Sequence, residues 1–315
     1  MKTGGLKTAA RYAFAVIVLA LILYLLDTTD VIATVAGANV ASVAVAVGFA
    51  LATRFFAAMR LRLLLGMQGA MLPLRKVFFI GLSAVFYGLL VPGGTIASFV
   101  ARVVQFSRQV KVEVIGAALV VDRVVATALL LAIGAVAVAF DRADPLWAGI
   151  VLAGVLVCAG IVLFGRGTME WLRTRLDGLV DDASSGRWRG IAVRTAKAFL
   201  IYSTASRGQV LVIFMSSLIA HLCGCLAFYA IAAGIGLDVS FLAMCWIRSG
   251  IILSAMLPIS VAGLGVREVT AIALLLPLGV AEAQAVGFSI LIFLVTPVTI
   301  GLIGGLAELA GATSR

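Results

Sequence analysis

The chain has 315 residues, 63% of them hydrophobic and 12% charged, with 24 Lys and Arg against 14 Asp and Glu, and its mean hydropathy is +1.20. That much apolar surface cannot be hidden in one soluble core, and several runs approach the roughly 20 residues that cross a bilayer, so composition excludes a soluble domain. The basic excess lies in short loops beside apolar runs, which argues for charge that orients a polytopic membrane protein and against nucleic-acid binding.

In chain order, Lys2, Lys7 and Arg11 precede an apolar run over 12–26. A cleavable leader would have a shorter apolar region and a small-residue site. Here Asp27-Thr-Thr-Asp30 follows and another span begins at once, so an uncleaved first helix is expected. A second helix is expected over 31–53. It leads into a basic amphipathic stretch, RFFAAMRLRLLLGMQGAMLPLRK (54–76), whose Arg54, Arg60, Arg62, Arg75 and Lys76 suit a helix lying at headgroup level. An apolar arm over 77–91 stops at Pro92-Gly93-Gly94. The cluster Arg102, Arg108 and Lys111 follows too soon for a further full span. Helices are expected over 112–140 and 147–164, with Asp141-Arg-Ala-Asp144 between them.

Residues 165–208 form the sizeable polar region, with eight basic residues. They read as cytoplasmic amphipathic segments lying on the membrane, too small for a catalytic domain. A helix over 209–233, a turn over 234–238, an arm over 241–257 and the motif LPISVAGLGVRE (257–268) come next. A second apolar arm, 269–276, ends at Pro277, and the last helix covers 283–309. The expected fold is all-α. It is a single integral membrane domain over 1–315, with about six full spans and two broken-helix, re-entrant hairpins. The N-terminal half (1–164) holds the hairpin 77–111, 165–208 is the linker, and the C-terminal half (209–315) holds the hairpin 239–278.

Lys and Arg placement tests that layout. With both termini cytoplasmic, 20 of the 24 basic residues fall on the cytoplasmic side; Arg123, Arg248 and Arg267 lie within membrane segments, and Arg142 alone falls outside. Making 77–91 a complete span would put Arg102, Arg108 and Lys111 outside and break the pattern. The two hairpins then enter from opposite faces. Their tips, LLVPGGTIASFVAR (89–102) and AMLPISVAGLGVR (255–267), both read apolar, Pro, small residues, then an Arg nine or ten positions after the proline. An inverted repeat whose broken helices meet near the midplane is a transporter architecture. The competing reading is that Pro and Gly recur by chance in a Gly-rich chain.

Broken backbone at membrane depth leaves N–H and C=O groups that must face protein, water or a polar ligand, so each break is a candidate cavity wall. After Pro258, Gly263 and Gly265 let the chain bend and approach a ligand, Ser260 offers a hydroxyl, and Arg267 in the first turn of a new half-helix suits phosphate oxygens. Glu268 could neutralise Arg267, pair with Arg123 or Arg248, or bind a cationic headgroup. Asp122 and Arg123 lie about ten residues into a long apolar helix, where charges face the bundle interior and mark a pathway or hold helices together, for instance Asp122 with Arg248 or Arg267. His221 reads as a hydrogen-bonded packing residue. Cys158, Cys223, Cys225 and Cys245 lie in apolar runs, and Cys223-Gly224-Cys225 lacks redox or zinc spacing, so no disulfide or metal is expected. GLG in GLGVRE has no preceding strand and Glu268 stands where a third glycine would be, which argues against a nucleotide fingerprint.

The run LPISVAGLGVREVTAIALLLPLGVAEAQA resembles the C-terminal signature of the lysylphosphatidylglycerol synthase transmembrane, or flippase-like, family, matching at Pro258, Ser260, Gly263, Gly265, Arg267 and Glu268. VVDRVVATALLLAIG is similar to that family's Asp/Glu-Arg segment at Asp122 and Arg123, and the resemblance covers nearly the whole chain. PGGTIASFVAR departs from the family's Gly-Gly-Asp/Glu-x-x-Arg element: Pro92, Gly93, Gly94 and Arg102 carry over, but the acid is missing. The resemblance implies translocation of a lipid or lipid-linked glycan across the cytoplasmic membrane, with no cofactor, no catalytic residues and any headgroup synthesis supplied by a separate lipid-modifying or glycan-synthesising enzyme. The expected partner is an anionic or zwitterionic phospholipid or a lipid-linked glycan, bound through Arg267, Glu268, Asp122, Arg123, Arg248, Arg102 and the broken backbone. Two other readings remain: a small-solute secondary transporter, and a non-catalytic membrane subunit.

Overall fold

The structure, a computed structural model, describes residues 28–90, 94–142, 201–256 and 265–313. Among the described residues all regular structure is helical. Helix α1 (Thr28–Ala36) is short. The chain then turns through Gly37 to Asn39, whose Oδ1 accepts the N–H groups of Ala41 and Ser42 at 2.9 and 3.2 Å and so caps α2 (Val40–Met67). The span expected over 31–53 is therefore two pieces, and its second piece runs further.

The expected headgroup-level helix over 54–76 is corrected in the same place. Helix α2 continues through Arg54, Arg60 and Arg62 to Met67. Its Ala58, Leu61, Leu64 and Leu65 are buried with Val77 and Ile80 of α3 (Leu74–Leu90) and Ile115, Ala118 and Leu119 of α5 (Val112–Arg142). An apolar stripe that meets protein has no reason to lie on lipid heads. Arg60 is consequently 3% exposed.

Helix α4 (Gly94–Phe106) follows α3 and packs back against it. A Cβ at Gly88 would lie 2.9 Å from the Gly94 carbonyl oxygen, so the arms touch through a glycine near their tip, and Gln105 Nε2 donates to Ser83 Oγ at 2.8 Å further down. The two arms form the first hairpin. Helix α6 (Arg207–Gly234) opens on a capping box between Ser206 and Gln209. It is followed by α7 (Phe241–Ala255), capped by Ser240, and α8 (Val266–Leu275). The α7 and α8 arms pack together, a Cβ at Gly250 meeting Leu274 at 2.7 Å. Last come α9 (Glu282–Phe293) and α10 (Thr299–Leu309), joined by a π-helical turn over Leu294–Val298 that accommodates the missing N–H of Pro297.

Four stretches are long and apolar enough to cross a membrane: α2, most of α5, α6 and the α9–α10 rod. They are four of the six expected spans; the expected helices over 12–26 and 147–164 and nearly all of the polar linker lie outside the described residues. Large apolar side chains along these rods, Val45, Phe55, Val124, Leu131, Phe214 and Leu302 among them, face outward, as a lipid solvent requires.

Helices α2 and α6 lie antiparallel along their length. At one end Asn39 N–H donates to Gly234 O at 2.9 Å, and at the other Tyr202 OH donates to Leu64 O at 3.2 Å. Around this pair the packing has a two-fold character. The first arm of each hairpin lies against the span that follows the opposite hairpin, α3 on α10 and α7 on α5. In both places a small residue permits close approach: Gly304 faces the Leu82 carbonyl, and Gly134 faces Ser249. Leu89 meets Gly301, eight residues before the end of α10, and Ser249 meets Gly134, eight residues before the end of α5. At 1.5 Å per residue each contact lies about 12 Å in from an opposite end of the bundle. The hairpins therefore enter from opposite ends, and their resemblance in sequence is matched by equivalent neighbours.

Candidate functional site

Two groups of buried charge occupy this frame. The first stands at the start of α8. Gly265 adopts φ +84°, which a glycine tolerates, and begins the half-helix after the break. Glu268 Oε2 reaches back to accept the Gly265 N–H at 2.6 Å, while Oε1 accepts from Arg267 Nη2 at 2.5 Å and from Ser289 Oγ at 3.1 Å. Arg267 Nε donates to Ser289 at 2.9 Å, and its guanidinium lies 4.7 Å from the centre of the Phe293 ring. Arg267 is 5% exposed, Glu268 and Ser289 not at all. Of the three roles open to Glu268 from sequence, the structure has it neutralising Arg267. The group is closed and satisfied.

The second group crosses α2, α4, α5, α6 and α7. Arg60 Nε donates to Asp122 Oδ1 at 2.7 Å and its Nη1 to Ser217 Oγ at 2.9 Å; Ser217 passes a hydrogen bond to Ile213 O at 2.7 Å. The sequence expectation that Asp122 pairs with Arg248 or Arg267 is thus corrected: α2 continues as a rod, so Arg60 reaches Asp122 first. Arg248 packs on Gly224, where a Cβ would lie 2.3 Å from Nη2, and over the Phe228 ring at 5.7 Å. Its Nη1 is 3.4 Å from His221 Nδ1. His221 Nε2 lies 2.8 Å from Ala126 O; a carbonyl can only accept, so Nε2 carries the proton and Nδ1 accepts from the arginine. His221 is a packing residue as expected, but one that holds a buried cation.

Arg102, Arg123 and Arg54 complete this group. Arg54 lies in the repulsive field of Arg102, Arg123 and Arg248. Arg102 feels Arg123 and Arg60 as repulsion and Asp122 as attraction, and Arg123 is likewise attracted by Asp122. Arg54 and Arg102 are half-buried and Arg123 is exposed. The side-chain nitrogens Arg102 Nε and Arg248 Nε are buried with no hydrogen-bond partner. Arg54 and His221 lie thirteen and fourteen residues from the ends of α2 and α6 that meet near Tyr202, about 20 Å in, whereas Asp122 is about 15 Å from the corresponding end of α5. A column of guanidinium groups therefore runs from mid-depth toward that end. Arg123 shares its exposed face of α5 with Val120 and Val124.

The sequence-predicted residues divide accordingly. Arg267, Glu268 and Gly265 meet in one group, and Asp122, Arg123, Arg102 and Arg248 in the other. Gly94 starts α4. Pro92, Gly93, Pro258, Ser260 and Gly263 lie outside the described residues. Arg54, Arg60, Ser217 and Ser289 were missed as site residues. Ser217 had a signal: with His221 and Cys225 it forms an i, i+4, i+8 stripe on α6, one face of a helix. Arg60 had one too, because LRLLLGM keeps a helical apolar pattern beyond it.

The family model described as lysylphosphatidylglycerol synthase TM region matches residues 9–304, nearly the whole chain. The chain belongs to this family. No curated protein matches it. In this lysylphosphatidylglycerol synthase TM region Arg267 and Glu268 form a buried ion pair, and Asp122 bridges two spans through Arg60. Glu308 of α10 accepts from Tyr87 OH at 3.0 Å and from Ser83 Oγ, both on α3. The multi-pass membrane character read from composition agrees with this membership and with the four apolar rods.

Proposed function

We propose that this chain moves a phosphate-bearing lipid headgroup across the cytoplasmic membrane by alternating access, with both termini cytoplasmic and the acyl chains left in lipid. The observation that carries the reading is the asymmetry of the two charge groups. Hairpins entering from opposite ends place related arginines, Arg102 and Arg267, on their second arms. Arg267 is sealed against Glu268 and Ser289, whereas Arg102 keeps an unpartnered Nε beside exposed Arg123. In a reaction cycle this is a state closed on the outer side and open toward the cytoplasm.

The chemistry follows from the parts. A headgroup phosphate enters the arginine column and accepts from the guanidinium forks. Its charge lowers the cost of separating Arg60 from Asp122 and Arg267 from Glu268, because each freed partner finds the ligand or the other helix. Exchange of partners then lets the outer group open as the inner one closes, which is how a two-fold arrangement of hairpins works around one site. Because the first arm of each hairpin rests on a span of the opposite half, the moving bodies combine elements of both halves.

The test is headgroup translocation in proteoliposomes, followed by reductant quenching of fluorescent phospholipid. Arg267→Ala and Glu268→Ala should each slow transport at least tenfold while the protein stays folded in the vesicle. Transport unchanged in both variants would overturn the reading.

A further inference from the structure

Among the described residues the arginine column holds more positive charge than its own carboxylate answers. Arg54, Arg60, Arg102, Arg123 and Arg248 influence one another or Asp122, and Asp122 already accepts from Arg60. Arg248, with Arg60 one of the two buried ones, is 4% exposed, is held by a histidine nitrogen and an aromatic face, and keeps a buried Nε without a partner. Gly224 is the cradle that admits its guanidinium. Buried guanidinium groups are tolerated when anionic oxygens take up their donors, and the arginine fork matches phosphate oxygens two at a time. A phosphodiester brings one negative charge to such a site, whereas a phosphomonoester or diphosphate brings about two or more.

Resting on the translocase reading above, we propose that the headgroup taken by this column carries at least two negative charges, as a terminal phosphomonoester or diphosphate. A cationic aminoacyl headgroup, which the family's description suggests, would add a further positive charge where Asp122 is already engaged by Arg60. Arg248 and Arg102 face the phosphate oxygens through their free Nε–H groups, Arg123 meets the headgroup at the exposed face of α5, and Arg54 supplies the remaining charge at mid-depth.

The purified full chain in a neutral detergent, at about pH 8 so that a phosphomonoester is fully ionised, is titrated with dioctanoyl phosphatidic acid, dioctanoyl phosphatidylglycerol and lysylphosphatidylglycerol, with binding read by native mass spectrometry. Phosphatidic acid should bind at least roughly tenfold more tightly than phosphatidylglycerol. Arg102→Gln, Arg123→Gln and Arg248→Gln should each weaken it by roughly tenfold, the loss of a charge-assisted hydrogen bond. The first two change half-buried and exposed side chains, so they decide the matter even where Arg248→Gln does not fold. Pyrophosphate that displaces phosphatidic acid, and does so less well in the same variants, supports the charge assignment; pyrophosphate binding as tightly as the lipid moves its source to a free anion. Equal affinity for the two glycerolipids, tighter binding of lysylphosphatidylglycerol, or phosphatidic acid binding untouched by the variants overturns it. Charge-blind binding with transport intact defeats this inference alone. Charge-selective binding without transport defeats the translocase reading and leaves this one standing.

Discussion

Glu268 shows how a side chain at a helix start can do two things that its neighbours in sequence do not reveal. Adjacent helical residues point away from each other, so Arg267 and Glu268 would be expected to diverge. They meet because Glu268 is the third residue after Gly265 and folds back to that N–H, as a capping acid does. Arg267 then turns toward Ser289 and Phe293. Breaking a buried pair from one side strands the other charge, which costs about 3–5 kcal/mol, whereas replacing both by apolar groups of similar size is close to neutral. Glu268→Ala should therefore lower stability to chemical unfolding in detergent by that amount, and the double variant Arg267→Met/Glu268→Leu should recover most of it. Headgroup transport should stay lost in the double variant. Recovery of both would make the pair a purely structural device.

At the scale of elements, close approach between helices is set by glycines that carry no special backbone angle. A Cβ at Gly304 would sit 2.2 Å from the carbonyl carbon of Leu82, and a main-chain atom in the middle of α3 cannot move aside. Gly304→Ala should push α10 off α3, pull Glu308 away from Ser83 and Tyr87, and destabilise the protein by about 1–3 kcal/mol. A Cβ at Gly116 of α5 would meet nothing within 4 Å. Gly116→Ala should leave the unfolding midpoint unchanged or raise stability by up to about 1 kcal/mol, as helix propensity alone dictates. Thermal unfolding of the two variants side by side in detergent checks both outcomes. A similar loss in both would mean that propensity, rather than contact, governs these glycines.

For the whole molecule the decisive property is which segments return to the side they left. Helix α4 has 13 residues, about 20 Å of rise, short of the roughly 30 Å hydrocarbon core, as a re-entrant arm requires. Met71 before the α3–α4 hairpin and Lys111 after it are both exposed, as is Asp238 at the far end of α6. In a background with the four native cysteines replaced by serine, single cysteines at Met71 and Lys111 should react with a membrane-impermeant maleimide from the cytoplasmic side alone. A cysteine at Asp238 should react from outside in intact cells. Opposite labelling of positions 71 and 111 would turn the hairpin into a span and remove the two-fold arrangement with it.

Membrane class, the helix ends at Leu90 and Ala255 and the placing of Arg267, Glu268, Asp122 and Arg123 within apolar helices were all legible in the chain, because hydropathy, proline and intramembrane charge act locally or against the bilayer. Who pairs with whom was not. Arg54 and Arg60 read as headgroup-level charges because a basic amphipathic segment looks the same whether its apolar stripe meets lipid or protein. Only the packing of Ala58, Leu61 and Leu65 against α3 and α5 carries α2 onward as a rod and delivers Arg60 to Asp122 across 62 residues of chain. Likewise the closed Arg267 group needs Ser289 from α9, and Ser83 and Tyr87 of the first hairpin find their acceptor in Glu308 of the last helix. A charge buried in a membrane is stabilised by whatever donor or acceptor the fold brings within hydrogen-bonding reach, and that distance exists only after the helices have packed.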